Sequence, residues 1–312
     1  ELAMGPIVPY HELEPALAQR TIAAQDVSDG CFRFTIGLAK KALLADALAG
    51  LVTGIWGDLA SLTVLAAWLG LIGYALQIYF DFSGYSDMAI GLGRMLGFRF
   101  PENFRYPYLC SSISDFWRRW HISLGSWFKE YLYFPLGGSR TGTLRTLRNL
   151  LLVWLATGLW HGASWNYVLW GLYFGVLICL EKLLAPRFWA HPRKGLLAGL
   201  YRPVCLLLAV LGWVLFRAED LPAAGRYFAC LFGGAAGASA QARLYLHDFW
   251  PVLLLGAVGA TPLCAKLAGR LGAKLQPGVR AAVQAVLVLA LLACSTVWLL
   301  NGSFQSFVYF QF

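Results

Sequence analysis

The sequence is poor in charged residues. Only 13% of its 312 residues are Asp, Glu, Lys or Arg, whereas 59% are hydrophobic, and a soluble domain has about 25% charged residues. The mean hydropathy of +0.60 points the same way. This composition argues against an ordinary soluble domain and indicates a membrane protein.

Cysteine pairs and common hydrolase motifs are also missing. The seven cysteines stand singly and form no C-x-x-C pair, which argues against a structural zinc site and a disulfide framework. No G-x-S-x-G or H-E-x-x-H motif occurs, so a soluble-type serine hydrolase and a zinc protease have no support. We therefore expect neither a metal site nor a tightly bound cofactor.

The net charge of +9 arises from short basic clusters between apolar runs. A nucleic-acid-binding surface would instead collect its basic residues along one polar face. Basic clusters beside apolar runs are typical of cytoplasmic loops that face anionic lipid. We expect contact with a lipid bilayer and no nucleic-acid partner.

Long apolar windows predict membrane helices. The window 59–80 carries no charge and is long enough to cross a bilayer, which takes about 20 residues. The other windows that predict helices are 34–56, 165–180, 203–216, 249–263 and 281–300. The predicted fold class is all-α, a polytopic transmembrane helix bundle with short and partly embedded helices.

One short helix, 149–160, is predicted to end directly before a histidine. Its length of about 18 Å would reach the middle of a bilayer without crossing it. An ionisable residue at that depth is costly and marks a candidate site, so His161 is a candidate functional residue. Gly158 and Gly162 leave room beside it, and Trp160 and Trp165 offer aromatic walls. The plain alternative is an interfacial histidine bonded to a carbonyl and water.

The stretch FWRRWHISLGSWF, residues 116–128, sets charged residues among aromatic ones. As a single helix it would have two stripes at spacings of four, three and four. The stripes are Arg119, Ser123, Ser126 and Glu130, and Trp117, His121, Leu124 and Phe128. His121 is then expected to point away from Arg119, into packed protein or a cavity. Arg118 and Arg119 are expected to bind an anionic group or lipid headgroups.

Two further carboxylates follow an apolar helix in DFSGYSDMAIG. For Asp81 and Asp87 we expect structural roles, as caps, in turns, or in an ion pair with Arg94.

Several motifs, taken in chain order, resemble the membrane-bound O-acyltransferase family, and most closely its bacterial alginate O-acetylation branch. They are GPIVPYHEL, QIYFDFSGYSDMAIGLGRMLGFRFPENFRYPY, SISDFWRRWHISLGSWFKEYLYFPLGGSR, RNLLLVWLATGLWHGASWNYVLWG, GWVLFRAEDL and SFVYFQF. The likeness covers almost the whole chain. It implies a single membrane domain over residues 1–312, with helices around a central tunnel and with the family's N-terminal membrane helices missing.

The resemblance also implies an activity. The family transfers an acyl group, here expected to be acetyl, from a cytoplasmic thioester such as acetyl-CoA towards an extracytoplasmic polysaccharide such as alginate. The family's near-universal histidine falls on His161 and its branch-typical one on His121, so we expect a general base and an orienting partner. Arg118 and Arg119 are candidates for binding the donor, while Trp120, Trp160 and Tyr85 are candidates for the tunnel wall. Periplasmic acetyltransferases are expected partners, and the bacterial inner membrane is the expected location.

Other interpretations stay open at this point. Arg118 and Arg119 fit a lipid anchor as well as a donor site, and an acyl-enzyme on histidine or on Ser164 is an alternative mechanism. D-alanyl transfer to teichoic acid and peptidoglycan acetylation are alternatives within the family. A membrane permease, a polysaccharide-export subunit and a non-catalytic scaffold are alternatives from other classes.

The basic clusters predict the sidedness of the loops. Lys182, Arg187, Arg193, Lys194 and Arg202 form one basic connection, and Lys266, Arg270, Lys274 and Arg280 form another. The positive-inside rule places both in the cytoplasm and residues 217–248 and 312 outside. Cysteines introduced at positions 194 and 239 should therefore react with a membrane-impermeant thiol reagent from opposite sides. Labelling of both from one side would contradict this topology.

Overall fold

The computed structural model describes residues 5–140, 142–188 and 196–301, and no strand occurs among them. The α-helices are α1 (Tyr10–Ala18), α2 (Ala24–Ala39), α3 (Asp46–Trp56), α4 (Val64–Met95), α5 (Ile113–Trp117), α6 (Ile122–Phe128), α7 (Thr143–His161), α8 (Trp165–Phe188), α9 (Leu196–Arg217), α10 (Leu221–Leu231), α11 (Ala240–Gly259), α12 (Leu263–Gly272) and α13 (Pro277–Asn301). Lys40–Ala45 and Lys129–Tyr133 are π-helical, and Pro107–Leu109 is a 3-10 turn. The predicted all-α fold is confirmed.

Four helices in the described part of the chain are long and apolar enough to cross a membrane. They are Val64–Met95, Trp165–Leu184, Gly199–Arg217 and Pro277–Asn301, and α11 with α12 forms one broken span bent by 68°. The chain is therefore a multi-pass membrane protein. These spans overlap the predicted windows, although α4 begins later than predicted and continues to Met95, and the window 249–263 runs across the bend between α11 and α12.

The helix before His161 is longer than the sequence predicts. α7 begins at Thr143 and has 19 residues, which makes it about 28 Å long. The predicted length of 149–160 was wrong because Arg145 and Arg148 interrupt the apolar pattern without interrupting the helix. Those two arginines lie in its first two turns, and α7 is not among the spans found in the described residues.

The described residues form two compact units. Unit 1 contains residues 5–51, 76–105 and 249–301, and unit 2 contains residues 52–75 and 106–248 apart from 141 and 189–195. α3, α4 and α11 each contribute to both units. The single membrane domain over 1–312 stays a prediction.

Unit 1 is built on a close crossing of α2 and α4. A Cβ added to Gly37 would lie 2.5 Å from the carbonyl oxygen of Gly84, and one added to Gly30 would lie 2.6 Å from that of Gly91. The paired glycines are seven residues apart on each helix, so they repeat on one face. Small residues at such a crossing let the two helix backbones approach closely.

Buried charges cross-link the same unit. The Nζ of Lys41 lies 2.7 Å from a carboxylate oxygen of Asp46 and 2.6 Å from one of Asp81. Lys41 is only 4% exposed and Asp81 is fully buried. A buried charge is tolerable when opposite charges compensate it, so the two aspartates hold the lysine in place.

Asp87 makes a second ion cluster in unit 1. Arg33 lies 2.5 Å and Lys40 lies 2.6 Å from its carboxylate oxygens. Structural ion pairing was the expected role for Asp81 and Asp87, but the expected partner was wrong. Arg94 instead pairs with Asp29 on α2, at 2.6 Å, because α2 packs along the face of α4 that carries Arg94.

Unit 2 is built on the hairpin of α7 and α8. A Cβ on Gly158 or on Gly171 would collide with the backbone of the facing helix, so the two glycines set the close spacing. An aromatic cluster fills the space between this hairpin, α5 and α9. Its members are Phe116, Trp117, Trp120, Trp154, Trp170, Phe174, Trp213 and Phe216.

Removing Lys41 should destabilise the protein strongly. Lys41→Met removes the cation that faces the fully buried Asp81 and the part-buried Asp46, so we expect the free energy of unfolding to fall by about 3 to 5 kcal/mol. Lys40→Met is the matched control, because Asp87 keeps Arg33 in that variant. The thermal midpoint of each variant is measured in detergent as the temperature at which half of the monodisperse protein is lost. Equal midpoints for Lys41→Met and Lys40→Met would contradict the structural role assigned to Lys41.

Candidate active site

The segment after α5 breaks the helix that the sequence predicts over 116–128. α5 ends at Trp117, α6 begins at Ile122, and His121 between them has a φ of 45°. This left-handed conformation costs a residue other than glycine about 1 to 3 kcal/mol, so it persists only where the surrounding structure holds it. The predicted single helix and its two stripes were wrong here, because the chain leaves the helical register at His121. The break buries His121 to 4% exposure.

His161 is the last residue of α7, at a tight turn into α8. Gly162 follows it with a φ of 154°, and a Cβ there would lie 2.9 Å from the ring of Tyr167. Ser164 precedes the first residue of α8, and its Oγ accepts a hydrogen bond from the backbone N–H of Asn166 at 3.3 Å. The Asn166 Nδ2 donates to the carbonyl of Ala218 at 2.6 Å. The turn behind His161 is therefore anchored to the end of α9.

The two histidines meet the same tryptophan ring. The ring centroid of Trp160 lies 4.8 Å from that of His161 and 6.3 Å from that of His121. Trp170 and Phe216 stand edge-on to His161 at 4.9 and 5.1 Å. Two residues 40 positions apart in the chain are thus brought to one aromatic wall in unit 2.

Burial favours the neutral form of both imidazoles. Neither histidine lies in one of the membrane-spanning helices. Burial lowers the pKa of His121, and the neighbouring His161 lowers it further. Burial also lowers the pKa of His161, whose ring is enclosed by aromatic side chains although part of the residue stays accessible. A neutral imidazole can accept a proton, as a general base must.

Arg118 and Arg119 line a polar cavity of about 950 Å³ in unit 2, and neither histidine does. The Nε of Arg119 lies 3.1 Å from a carboxylate oxygen of Asp115. The Nε of Arg118 donates to the carbonyl of Ser114 at 3.1 Å. The break at His121 therefore separates a cationic surface from a buried imidazole within four residues.

Glu181 on α8 holds α5 in place. One of its carboxylate oxygens accepts from the backbone N–H of Ile113 at 2.5 Å and from the hydroxyl of Tyr201 at 2.6 Å. The other accepts from the N–H and the hydroxyl of Ser114 at 2.8 and 2.7 Å. A carboxylate at a helix N-terminus accepts hydrogen bonds from the free backbone N–H groups of the first turn. Its negative charge also interacts favourably with the helix dipole. Through Tyr201 the same carboxylate also reaches α9.

The remaining predicted site residues have different surroundings. Trp160 is 46% exposed and contacts both histidines, whereas Trp120 is 2% exposed and packs against Trp213 at 4.7 Å. Trp120 thus belongs to the aromatic cluster of unit 2. Tyr85 lies on the part of α4 that belongs to unit 1, and its role in a tunnel wall stays a prediction.

Sequence reasoning missed three residues that build the site. Glu181 and Tyr201 were not singled out, although a lone acid inside an apolar helix is costly and could have drawn attention. Trp170 was not distinguishable from the many other tryptophans. No group of three or more His, Cys, Asp or Glu within the described ranges is placed to hold a metal ion.

The spans and the paired histidines define an integral membrane protein with a candidate acid–base centre. The chain belongs to the membrane-bound O-acyltransferase family, whose sequence model matches residues 1–194.

Curated relatives differ in the acceptor that their names state. "Probable alginate O-acetylase AlgI" of Pseudomonas fluorescens is 47% identical over 235 residues, which are 74% of this chain and 46% of the relative. The peptidoglycan O-acetyltransferase of Helicobacter pylori is 40% identical over 72% of this chain and 43% of its own length. The teichoic acid D-alanyltransferase of Bacillus subtilis is 34% identical over 49% and 40%. The chain therefore spans less than half the length of these relatives.

Loss of the Glu181 charge should loosen α5. Glu181→Gln replaces one accepting oxygen with an amide donor, so at least one buried N–H or hydroxyl loses its acceptor. We expect the free energy of unfolding to fall by about 1 to 3 kcal/mol. Glu219→Gln is the control, since Glu219 is exposed. Thermal midpoints in detergent compare the two, and an unchanged midpoint for Glu181→Gln would show that the carboxylate does not hold α5.

Proposed function

We propose that the protein is an O-acyltransferase that moves an acyl group, expected to be acetyl, from a thioester donor towards a polysaccharide hydroxyl. The observation that carries the proposal is the meeting of His121 and His161 at the ring of Trp160. Family membership supports it, because the family model covers the part of the chain that holds both histidines.

His161 is the proposed general base. A sugar hydroxyl is a weak nucleophile, and it attacks a thioester faster when a base removes its proton in the transition state. The hydroxyl oxygen then bonds to the carbonyl carbon and the carbon–sulfur bond breaks. The leaving thiolate takes the proton from the imidazolium of His161. The neutral imidazole is restored for the next turnover.

His121 is proposed to orient the reacting groups or to stabilise the oxyanion. Its ring faces the same tryptophan as His161, and its left-handed backbone fixes its direction. Ser164 is a weaker candidate for an acyl-enzyme, because its hydroxyl already caps α8. A direct transfer through His161 is therefore the mechanism we favour.

The proposed acceptor is an exopolysaccharide of the alginate type. The 47% identity to a protein named as an alginate O-acetylase supports this choice over the relatives named for peptidoglycan and teichoic acid. Such an acceptor lies outside the cytoplasm, so we place the protein in the bacterial inner membrane. A periplasmic acetyltransferase is the proposed partner that receives or delivers the acyl group.

The central test is His161→Ala in the full-length gene product. We expect acyl transfer from a labelled acetyl thioester to fall by about 100-fold to 10,000-fold, which is the usual contribution of general-base catalysis. His121→Asn should lose less activity, because His121 is proposed to orient the reacting groups and not to remove the proton. Asparagine is the chosen replacement because it tolerates the left-handed conformation of this position while removing the imidazole.

A matched control uses the exposed His247, which pairs with Asp248. His247→Ala should transfer acetyl at the wild-type rate. Wild-type transfer by a well-expressed His161→Ala variant would overturn the base assignment. Flux of a solute without thioester consumption in wild-type vesicles would instead favour a permease.

A further inference from the structure

Arg217 ends α9 beside the turn that carries His161. The residue before it, Phe216, stands edge-on to the imidazole of His161, with 5.1 Å between the ring centroids. The residue after it, Ala218, accepts a hydrogen bond on its carbonyl from the Nδ2 of Asn166 at 2.6 Å. The backbone on both sides of Arg217 is therefore tied to the candidate active site.

The guanidinium of Arg217 lies on a fixed aromatic surface of unit 2. Its Cζ is 5.6 Å from the ring centroid of Trp56 and 5.9 Å from that of Tyr74. Trp56 is stacked on Tyr227 at 3.9 Å, and the hydroxyl of Tyr227 donates to the carbonyl of Ala67 at 2.7 Å. A cation is attracted to the face of an aromatic ring, so these buried rings hold the charge in one place.

The charge of Arg217 is not neutralised by its surroundings. In the part of the chain that the structure describes, no carboxylate pairs with Arg217 and no oxygen accepts from its side chain. Of the two acids that follow it, Asp220 caps α10 by accepting from the N–H of Ala223 at 2.7 Å, and Glu219 is exposed. An aromatic face attracts the charge but leaves the N–H donors of the guanidinium available. Arg217 is only half-buried, so a ligand can reach those donors.

A guanidinium in this state is suited to a carboxylate. Its N–H groups form a planar fork that matches the two oxygens of a carboxylate. The predicted topology places Arg217 on the extracytoplasmic side, where the proposed acceptor lies. An alginate-type polysaccharide is a polyuronate with one carboxylate on each sugar, so its charge is opposite to that of Arg217.

The helix geometry separates this charge from the reacting atoms. Consecutive residues of a helix point about 100° apart. Because Phe216 faces His161, Arg217 faces the space beside the imidazole. A carboxylate bound there belongs to a part of the acceptor that flanks the hydroxyl to be acylated.

We propose that Arg217 binds a carboxylate of the acceptor polysaccharide and thereby selects a polyuronate over a neutral glycan. Arg217 is a binding residue in this proposal and takes no part in proton transfer. The rings of Trp56 and Tyr74 set its position in advance, which reduces the loss of side-chain freedom on binding. This inference rests on the proposed acyltransferase function.

The test measures the binding of two oligosaccharides to the full-length protein in phosphatidylcholine vesicles. One is an oligomannuronate, and the other is the same oligosaccharide with its carboxylates reduced to neutral alcohols. R217Q should raise the Kd for the oligomannuronate about tenfold to a hundredfold, the range for hydrogen bonds to charged groups. It should leave the weaker binding of the neutral oligosaccharide unchanged, which also shows that the variant is folded.

R217K provides a second variant if R217Q does not fold. Lysine keeps the charge and the attraction to the aromatic rings but lacks the planar fork. R217K should therefore bind the oligomannuronate more weakly than the wild type and more tightly than R217Q. A wild-type Kd for R217K would overturn the fork.

R226Q is the matched control. Arg226 is exposed on α10, within the segment that is predicted to lie on the same side of the membrane. This variant loses the same charge and should bind the oligomannuronate with the wild-type Kd. A rise in Kd as large as that of R217Q would mean that general surface charge attracts the polymer, which would overturn the site.

The remaining outcomes also decide the question. A wild-type Kd in R217Q, or no binding of oligomannuronate by the wild type, overturns the carboxylate site and leaves the acyltransferase proposal intact. Loss of co-purifying anionic phospholipid from R217Q, with an unchanged Kd, assigns the guanidinium to a lipid phosphate. Binding that depends on Arg217 in a wild-type protein that consumes no thioester overturns the proposed function and keeps the carboxylate site.

Discussion

The carboxylate of Glu181 is the contact on which the candidate site depends. It accepts from two backbone N–H groups of α5, from the hydroxyl of Ser114 and from that of Tyr201. α5 has only five residues, and so short a helix is not stable by itself. Its position between α8 and α9 therefore comes from this part-buried acceptor and from the aromatic rings around Phe116. The residues that follow α5 take their places from it.

That placement gives Arg118 and His121, which are three positions apart, opposite environments. Arg118 faces a polar cavity, whereas His121 is buried against Trp160. In a regular helix residues three apart lie on the same face, so Arg118 and His121 would point to the same side. The left-handed residue at the break ends that alignment. The chain can then turn its imidazole inwards while α6 begins in a new direction.

The aromatic surroundings and the glycine turn serve His161 in the same way. Gly162 allows α7 to end directly at the histidine, and the first turn of α8 closes behind it. The rings of Trp160, Trp170 and Phe216 exclude water from much of the imidazole. Low polarity around the ring disfavours the charged form. Packing and proton affinity are thus set by the same side chains.

The sequence by itself determined the class of the protein, because hydropathy and helix length are local properties. The apolar windows predicted the spans, and the motifs around His121 and His161 indicated the family and the candidate centre. The extent of α7 was misjudged, since arginines are read as breaks in a pattern although a helix tolerates them.

Only the tertiary structure decided the break at His121, the meeting of both histidines at one ring, and the partners of Asp81 and Glu181. These features depend on contacts between residues far apart in the chain. A left-handed residue or a buried charge is stable only when distant side chains surround it, and spacing along the sequence does not encode that enclosure.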